Sequence, residues 1–454
     1  MAHIWATHRA PNYERFAERE KPNWFKDAKL GIFVHWGPYS VPAWAEPTGE
    51  LGKIDTVEPE QVHKHNPYAE WYFNTMRFPD GPTAEHHRKV YNDAPYDDFL
   101  DTWKAKDFDA DKLVRMFKRA GARYVVPVSK HHDGVTLWDA PGTGERNTVH
   151  RGPKRDLIDE WAQACKKEDV KFGVYYSTGI DWHVWPTAEP YHVNNQIRAG
   201  INDHEYNEYA WRHCHDLIEK YKPFMLWGDI DWPKAGVAPG KYSVEALLDE
   251  LYTANPEAVV NDRFGDTHWD FQTVEYGLGE PPKDTQMWQF TRGIGLSFGY
   301  NQVEDESHSL SGLDVLRLLI DVCSSGGDLL LNVGPDADGN IPPVQMRCLE
   351  ALGDWMDVNG EAIYGTSKVD AEIATPHGKT EGEWVRWTRK GDRLFAFVDG
   401  TEGEVTLPVK LDRVDMTAAK LLNGDQVDVQ SGGVVDVSKL PTQLRPACIE
   451  FRIR

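Results

Sequence analysis

Six short apolar runs between residues 30 and 276 each break off into side chains that can do chemistry. Ile32-Phe33-Val34 leads into His35 and Trp36, and the run after Arg123 ends in His131, His132 and Asp133. The next three end in Tyr175-Tyr176-Ser177, Trp227-Gly228-Asp229 and Asn261-Asp262-Arg263, and the last in Glu275-Tyr276. A single histidine at a strand end is usually a hydrogen-bonded structural group. Six successive ends delivering His, Tyr, Trp, Asp, Arg and Glu to one rim suit a neutral, hydroxyl-rich ligand, with donors and acceptors for its edge and aromatic faces for its C–H surfaces. That chemistry is sugar binding. Asp229 and Glu275, on neighbouring runs, add the carboxyl pair that glycoside hydrolysis needs, one group to attack or activate water and one to protonate the leaving oxygen. Asp231, Asp262 and Asp270 compete for these roles, and spacing alone does not choose among them.

Two histidine clusters raise the question of a metal. His131 and His132 are adjacent on a strand and point to opposite faces unless the strand ends between them. His213 and His215 lie about 200° apart on a helix, which defeats a shared site. Neither pair has the i, i+4 spacing of helical zinc motifs, so no metal and no cofactor is expected.

Residues from about 28 to 360 alternate short apolar, β-branched runs with helical segments, the pattern of parallel βαβ units. The strands read as LGIFVHWG, RYVVPVSKHHDG, KFGVYYS, PFMLWGDI, EAVVNDRF, FQTVEY and GDLLLNVGP, with GIGLSF as a further candidate. Between them ADKLVRMFKRAG places Leu113, Phe117 and Ala120 on one helical face, with Gly121 placed to end it. LIDEWAQACKKED, YAWRHCHDLIEKY, SVEALLDELYTAN and LDVLRLLIDVCSS behave alike. The expectation is an α/β fold, a (β/α)8-like TIM barrel, with working residues at the C-terminal strand ends. A doubly wound sheet is the competitor, but no G-x-G-x-x-G follows the first strand. After residue 364 the texture changes to alternating runs (EWVRWTRK, RLFAFVDG, GEVTLPVKL, ACIEFRIR), read as a C-terminal antiparallel β-sandwich. The expected division is therefore 1–364 and 365–454.

With 50 basic against 72 acidic residues the net charge is −22, which repels phosphate backbones and anionic lipid, so neither nucleic acid nor membrane is an expected partner. No run approaches the roughly 18 apolar residues of a membrane helix. The N-terminal stretch MAHIWATHRAPNYERFAERE lacks a basic-then-apolar leader, and the five cysteines are odd in number and scattered. A cytoplasmic location fits, and a secreted protein already freed of its leader would look the same. The 18 Trp agree with a carbohydrate role without proving one.

Taken as whole motifs, WFKDAKLGIFVHWGPYSVPAW, AEWYFN, SKHHDGVTLWDAP, KFGVYYSTGIDW, LWGDIDWP, NDRFG with WDFQTVEY, FTRGIGLSFGYN and LLLNVGPDADGNIP resemble, in order, the blocks of the α-L-fucosidases of glycoside hydrolase family 29. The resemblance implies a retaining exo-α-L-fucosidase acting on fucosylated glycans, with Asp229 as nucleophile and Glu275 of the T-x-E-Y segment as acid/base. Asp231 departs from the small residue common at its place and is the most credible wrong choice of nucleophile. The resemblance also implies ring-hydroxyl contacts from His35, Glu70, Trp71, His131 and His132, with Tyr175 and Arg263 near the reacting centre. Tyr175 is preferred to Tyr176 on strand parity. Phe33, Trp227 and Phe298 are read as the wall against the C5 methyl of fucose. A non-catalytic glycan binder on the same fold, or a barrel glycosidase for a related sugar such as galactose, are the alternatives. Association into a homo-oligomer is left open.

Overall fold

The computed structural model describes residues 9–50, 59–184, 204–276, 287–375, 377–380 and 383–454, so the first eight residues of the N-terminal stretch lie outside it. Strands β1 (Leu30–Val34), β2 (Tyr124–Lys130), β3 (Lys171–Ser177), β4 (Met225–Asp229), β5 (Val259–Val260), β6 (Gln272–Glu275), β7 (Trp288–Gly293) and β8 (Asp328–Val333) form one curled sheet. Its order is β5-β4-β3-β2-β1-β8-β7-β6, and every pairing is parallel. The crossovers carry helices α1 (Ala110–Arg119), α2 (Leu157–Lys167), α3 (His204–Tyr221), α4 (Val244–Ala254) and α5 (Gly312–Ser324), and α6 (Pro343–Asn359) follows β8.

Local sequence sets the helix ends. Asp109, Asp156, Ser243 and Ser311 each accept a backbone N–H from the first turn of α1, α2, α4 and α5, and so satisfy a donor that the helix leaves unpaired. Just past α1, Gly121 takes the left-handed turn (φ 102°) that drops the chain into β2. Leu113, Val114 and Phe117 of α1 are buried with Trp161, Ala164 and Cys165 of α2 in the shell between sheet and helices.

No ladder joins β5 to β6 among the described residues, and side chains close that seam instead. Asp270 donates its N–H to the Val260 carbonyl (2.9 Å) and accepts the Val260 N–H on its carboxylate (2.8 Å). Asp262 accepts both the backbone N–H (3.1 Å) and the hydroxyl (2.8 Å) of Thr273.

Strand seven differs from the expectation. GIGLSF is not a strand, and β7 lies one step earlier, over WQFTRG. The polar residues of that run face the barrel interior: Gln289 accepts from Trp227 Nε1 (2.9 Å) and donates to the Tyr124 hydroxyl (2.9 Å), and both Gln289 and Thr291 are fully buried. A search for apolar runs therefore passes over it. β5 is likewise only two residues long, because the chain after it turns to deliver Asn261, Asp262 and Arg263.

The C-terminal strands are β9 (His377–Thr380), β10 (Glu383–Lys390), β11 (Arg393–Asp399), β12 (Glu404–Thr406), β13 (Val414–Leu421), β14 (Val429–Gln430), β15 (Val434–Asp436) and β16 (Ala447–Ile453). They make two antiparallel sheets, ordered β13-β16-β11-β10-β9 and β12-β15-β14, around an apolar layer that includes Trp387, Leu394, Val405 and Ile449. The outer face of the larger sheet joins the barrel shell through Phe395, Phe397 and Cys448, and through ion pairs Arg317–Asp399 and Arg386–Asp321. No described helix is long and apolar enough to cross a membrane.

Candidate active site

The C-terminal ends of the barrel strands converge on Asp229, the last residue of β4. It is 8% exposed and its two oxygens have separate partners. Oδ1 accepts from Arg263 Nη1 (2.9 Å) and from the Ile230 N–H (3.0 Å), while Oδ2 accepts the Tyr175 hydroxyl (2.8 Å) and faces His132 Nε2 at 3.7 Å. Burial alone would raise its pKa, but the charge of Arg263 and the hydrogen bonds from Arg263 and Tyr175 outweigh it and hold the carboxyl below its ordinary value. Asp229 is therefore ionised at neutral pH.

Arg263 is fully buried and forks. One arm goes to Asp229, the other (Nη2) to Glu275 Oε2 at 2.8 Å, Nε donates to Thr273 Oγ1 at 3.1 Å, and the guanidinium plane lies 4.5 Å over the Trp227 ring. A single planar cation thus fixes the relative position of both carboxyl groups. Glu275 is the more open of the two, with 27% of its side chain exposed, and its Oε1 accepts the Tyr68 hydroxyl at 3.2 Å.

The turn that aims Asp229 is strained. Ile230 (φ 63°) and Asp231 (φ 55°) both adopt the left-handed region, which a β-branched residue rarely enters. Thr178 holds the turn with its N–H (2.9 Å) and hydroxyl (2.6 Å) on the Asp229 carbonyl, and its hydroxyl also reaches the Asp231 carbonyl. Gly179 lies so close that a Cβ there would stand 1.9 Å from the Ile230 carbonyl oxygen.

The histidines are neutral and oriented. His35 donates from Nδ1 to Asn332 Oδ1 (2.7 Å), and that amide is itself oriented by donating Nδ2 to the Phe298 carbonyl (2.6 Å). Burial lowers His35 to about 3, which leaves Nε2 as an acceptor. Ser177 donates its hydroxyl proton to the Ile180 carbonyl (2.8 Å), so it accepts from His132 Nδ1 (2.6 Å), and His132 too presents Nε2 as an acceptor. Burial brings it to about 4. His131 is pushed well below its ordinary range by burial and then by its two histidine neighbours. Its ring stacks on Tyr175 (5.6 Å, 13°), and its Nδ1 has no hydrogen-bond partner among the described residues. β2 ends at Lys130, which is how His131 and His132, with rings 4.1 Å apart, both reach the mouth.

Aromatic rings complete the wall. Phe33 packs on Trp227 (5.0 Å) and Tyr175 (5.7 Å), and Phe298 packs on His35 (4.9 Å) and Phe33 (6.5 Å). Trp71 meets His132 (5.4 Å) edge-on, on the short turn Ala69–Trp71 that also carries Glu70. Glu70 is buried, accepts the Gly299 N–H (2.8 Å) and the Ser297 hydroxyl (2.9 Å) on Oε2, and is raised by burial to about 7.

All twelve residues singled out in the sequence are thus linked by direct contacts. The competing acids do other work: Asp262 and Asp270 close the seam, and Asp270 also pairs with Lys21 (2.7 Å) and His268 (3.3 Å). Tyr176 turns outward to His213 Nδ1 (3.0 Å), and His215 pairs with Glu250 (2.6 Å), so the H-C-H run contributes nothing here. Among the described residues no three His, Cys, Asp or Glu side chains are grouped to hold a metal. Sequence reasoning missed Tyr68, Thr178, Gln289 and Asn332, and named Ser177 at its strand end without a role. Asn332 was findable, as the polar residue in the otherwise apolar LLLNVG of β8.

A parallel barrel whose mouth couples an ionised, buried carboxylate to a more open one, inside a shell of neutral histidines and aromatic faces, is the architecture of a glycoside hydrolase. Residues 2–361 match the Alpha-L-fucosidase family model, and the chain belongs to that family. It is 30% identical over 399 residues to an alpha-L-fucosidase of Dictyostelium discoideum, covering 86% of this chain and 80% of that one. Among solved structures it resembles the Thermotoga maritima alpha-fucosidase in complex with fucose (37% identity, TM-score 0.83, 98% of this chain and 100% of that one). It also resembles a Thermotoga maritima alpha-L-fucosynthase in complex with alpha-L-Fuc-(1-2)-beta-L-Fuc-N3 (38% identity, TM-score 0.85, 98% and 99%).

Proposed function

We propose that this chain removes terminal α-L-fucose from fucosylated oligosaccharides or glycoconjugates by double displacement with net retention. The observation that carries the reading is the shared guanidinium: Arg263 holds Asp229 ionised and keeps Glu275 beside it, on the side open to a leaving group. Fucose bound to the similar Thermotoga maritima enzyme supports the choice of sugar. In the proposed sequence, Asp229 Oδ attacks the anomeric carbon as the glycosidic C–O bond breaks, and protonated Glu275 gives its proton to the departing oxygen. The covalent fucosyl-enzyme has inverted configuration. Glu275, now a carboxylate, takes a proton from water, the water oxygen attacks the same carbon, and Asp229 leaves, which restores the original configuration. His35, His131, His132, Glu70 and Trp71 are assigned to the ring hydroxyls, and Phe33, Trp227 and Phe298 to the C5 methyl. Residues 1–364 form the catalytic unit in this reading, and 365–454 a supporting β-domain.

The test is kinetic. Asp229→Gly is expected to lose nearly all turnover of an aryl α-L-fucoside and to regain part of it with azide, giving a fucosyl azide of inverted configuration. Full activity in that variant removes Asp229 from the role.

A further inference from the structure

The segment from Gly293 to Gly299, after β7, carries Phe298, and side chains rather than a strand ladder hold its backbone. Glu304 grips it with both oxygens: Oε2 accepts the Leu296 N–H (3.1 Å) and Oε1 the Ser297 N–H (2.9 Å). From the other side Glu70 accepts the Gly299 N–H (2.8 Å), so Phe298 lies between two carboxyl clamps. The Tyr276 hydroxyl accepts the Gly293 N–H (3.0 Å) and lies 3.0–3.1 Å from the Gly295 and Leu296 carbonyl oxygens, tying the segment to the residue next to Glu275. The loop wraps Glu304 so closely that a Cβ on Gly295 would stand 1.8 Å from Oε2. Burial keeps Glu304 hard to ionise, raised to about 8.

A carboxyl group whose two oxygens accept two successive N–H groups fixes the direction of the peptide that follows. That peptide sets where the Phe298 ring meets His35 (4.9 Å) and where its carbonyl meets Asn332 Nδ2 (2.6 Å), which in turn orients His35. We propose that Glu304, which the sugar does not reach in this reading, is a positioning residue for specificity: by holding the 296–297 backbone it sets Phe298 against the C5 methyl and excludes a sugar with CH2OH there. The inference rests on the assignment of Phe298 to the methyl wall.

The test compares kcat/KM for an aryl α-L-fucoside with that for the aryl α-L-galactoside, which differs only by the C6 hydroxyl. The proteins are wild type, Glu304→Ala, Glu304→Gln, Phe298→Ala and, as a surface control, Glu306→Gln. Phe298→Ala is expected to cut the fucoside preference by about 10- to 200-fold, the scale of one methyl-sized contact, and Glu304→Ala to cut it within that range, mainly through KM. Glu304→Gln keeps one acceptor oxygen and should fall between Glu304→Ala and wild type, so it decides the matter if Glu304→Ala does not fold. The double variant Glu304→Ala, Phe298→Ala should lose little more than either alone. An unchanged preference in the Glu304 variants, with a relaxed one in Phe298→Ala, overturns the proposal and leaves the methyl-wall reading standing. An unchanged preference in Phe298→Ala overturns that reading and the proposal together.

Discussion

Replacing Arg263 by Met, which keeps much of the bulk over Trp227 and removes the charge, and by Lys, which keeps the charge, separates its two proposed effects, tuning Asp229 and holding Glu275. Arg263 contacts Asp229 at 2.9 Å and is the largest influence opposing the burial of that carboxyl. A cation beside a carboxylate lowers its pKa by about 1–3 units, each worth roughly 1.4 kcal/mol. The Tyr175 hydroxyl and the Ile230 N–H remain on Asp229 in the variant, so its pKa is expected to rise by only part of that range. The sign follows from which form is active. If ionised Asp229 attacks, a raised pKa moves the acid limb of kcat/KM toward neutral pH by the same amount. The assay is the pH profile of kcat/KM with an activated aryl α-L-fucoside, run on wild type, Arg263→Met and Arg263→Lys. Lys keeps the charge but cannot hold both carboxyl groups, so its limb should move less while its plateau still falls. A plateau that drops in Arg263→Met with the acid limb unmoved would show that Arg263 acts by holding Glu275 and not by tuning Asp229, and the electrostatic reasoning fails.

Glu275→Ala should lose far more rate with poor leaving groups than with activated aryl fucosides, and equal losses would point to another acid. Gly179→Ala places a methyl against the Ile230 carbonyl, so it should cost about 1–3 kcal/mol of stability by overpacking and lower kcat by disturbing the turn that aims Asp229, read by thermal melting and steady-state kinetics. Stability should also peak at mildly acidic pH. The neutral buried His35 (about 3), His132 (about 4) and His213 (about 3) take up protons on unfolding below the ordinary histidine value of 6.5, so stability falls as pH drops through that window. Glu70 (about 7), Asp328 (about 7) and Glu304 (about 8) hold protons that the unfolded chain releases above about 4, so their contribution is lost as pH rises toward 7–8. A thermal midpoint still rising from pH 6.5 to 8 contradicts this ordering.

The strand-end polarity that made the site legible is a consequence of the fold. Most strands of a barrel carry apolar residues into its core, and the C-terminal rim is where backbone and side chains are free to be polar, so His35, Tyr175 and Asp229 stand out after apolar runs. Two things hid the rest. β7 lines the interior with the buried polar residues Gln289 and Thr291, of which Gln289 hydrogen-bonds Trp227 and Tyr124, and so carries no hydrophobic signature. Tyr68 and Glu304 lie in connecting segments, and their roles depend on loop paths that bring them beside Glu275 and Leu296, far away in sequence or unmarked by any periodicity. The choice among acids was closed to spacing for the same reason: Asp229, Asp262 and Asp270 all follow strand-like runs, and only the seam bonds of the last two distinguish them.

The charge distribution at the mouth explains why its histidines are kept neutral. The transition state of glycoside cleavage builds positive charge at the anomeric centre, and a buried anion beside it is the stabilising partner. A protonated His132, 3.7 Å from Asp229, would neutralise that anion and turn the acceptor proposed for a ring hydroxyl into a second donor. Burial prevents this, and Ser177 and Asn332, in different strands, set the tautomer by one device: each accepts the Nδ1 proton and leaves Nε2 as the acceptor. With burial adding its cost to the charged form, the cation that bonds both carboxyl groups among the described residues is Arg263. Removing the Ser177 hydroxyl should then act on the acid side of the profile. Ser177→Ala frees the His132 ring to take the other tautomer with Nε2–H toward Asp229, which should lower kcat/KM by about tenfold, on the scale of one misdirected hydrogen bond. A variant with wild-type kcat/KM across the acid limb would show that burial alone keeps the imidazole in its working form.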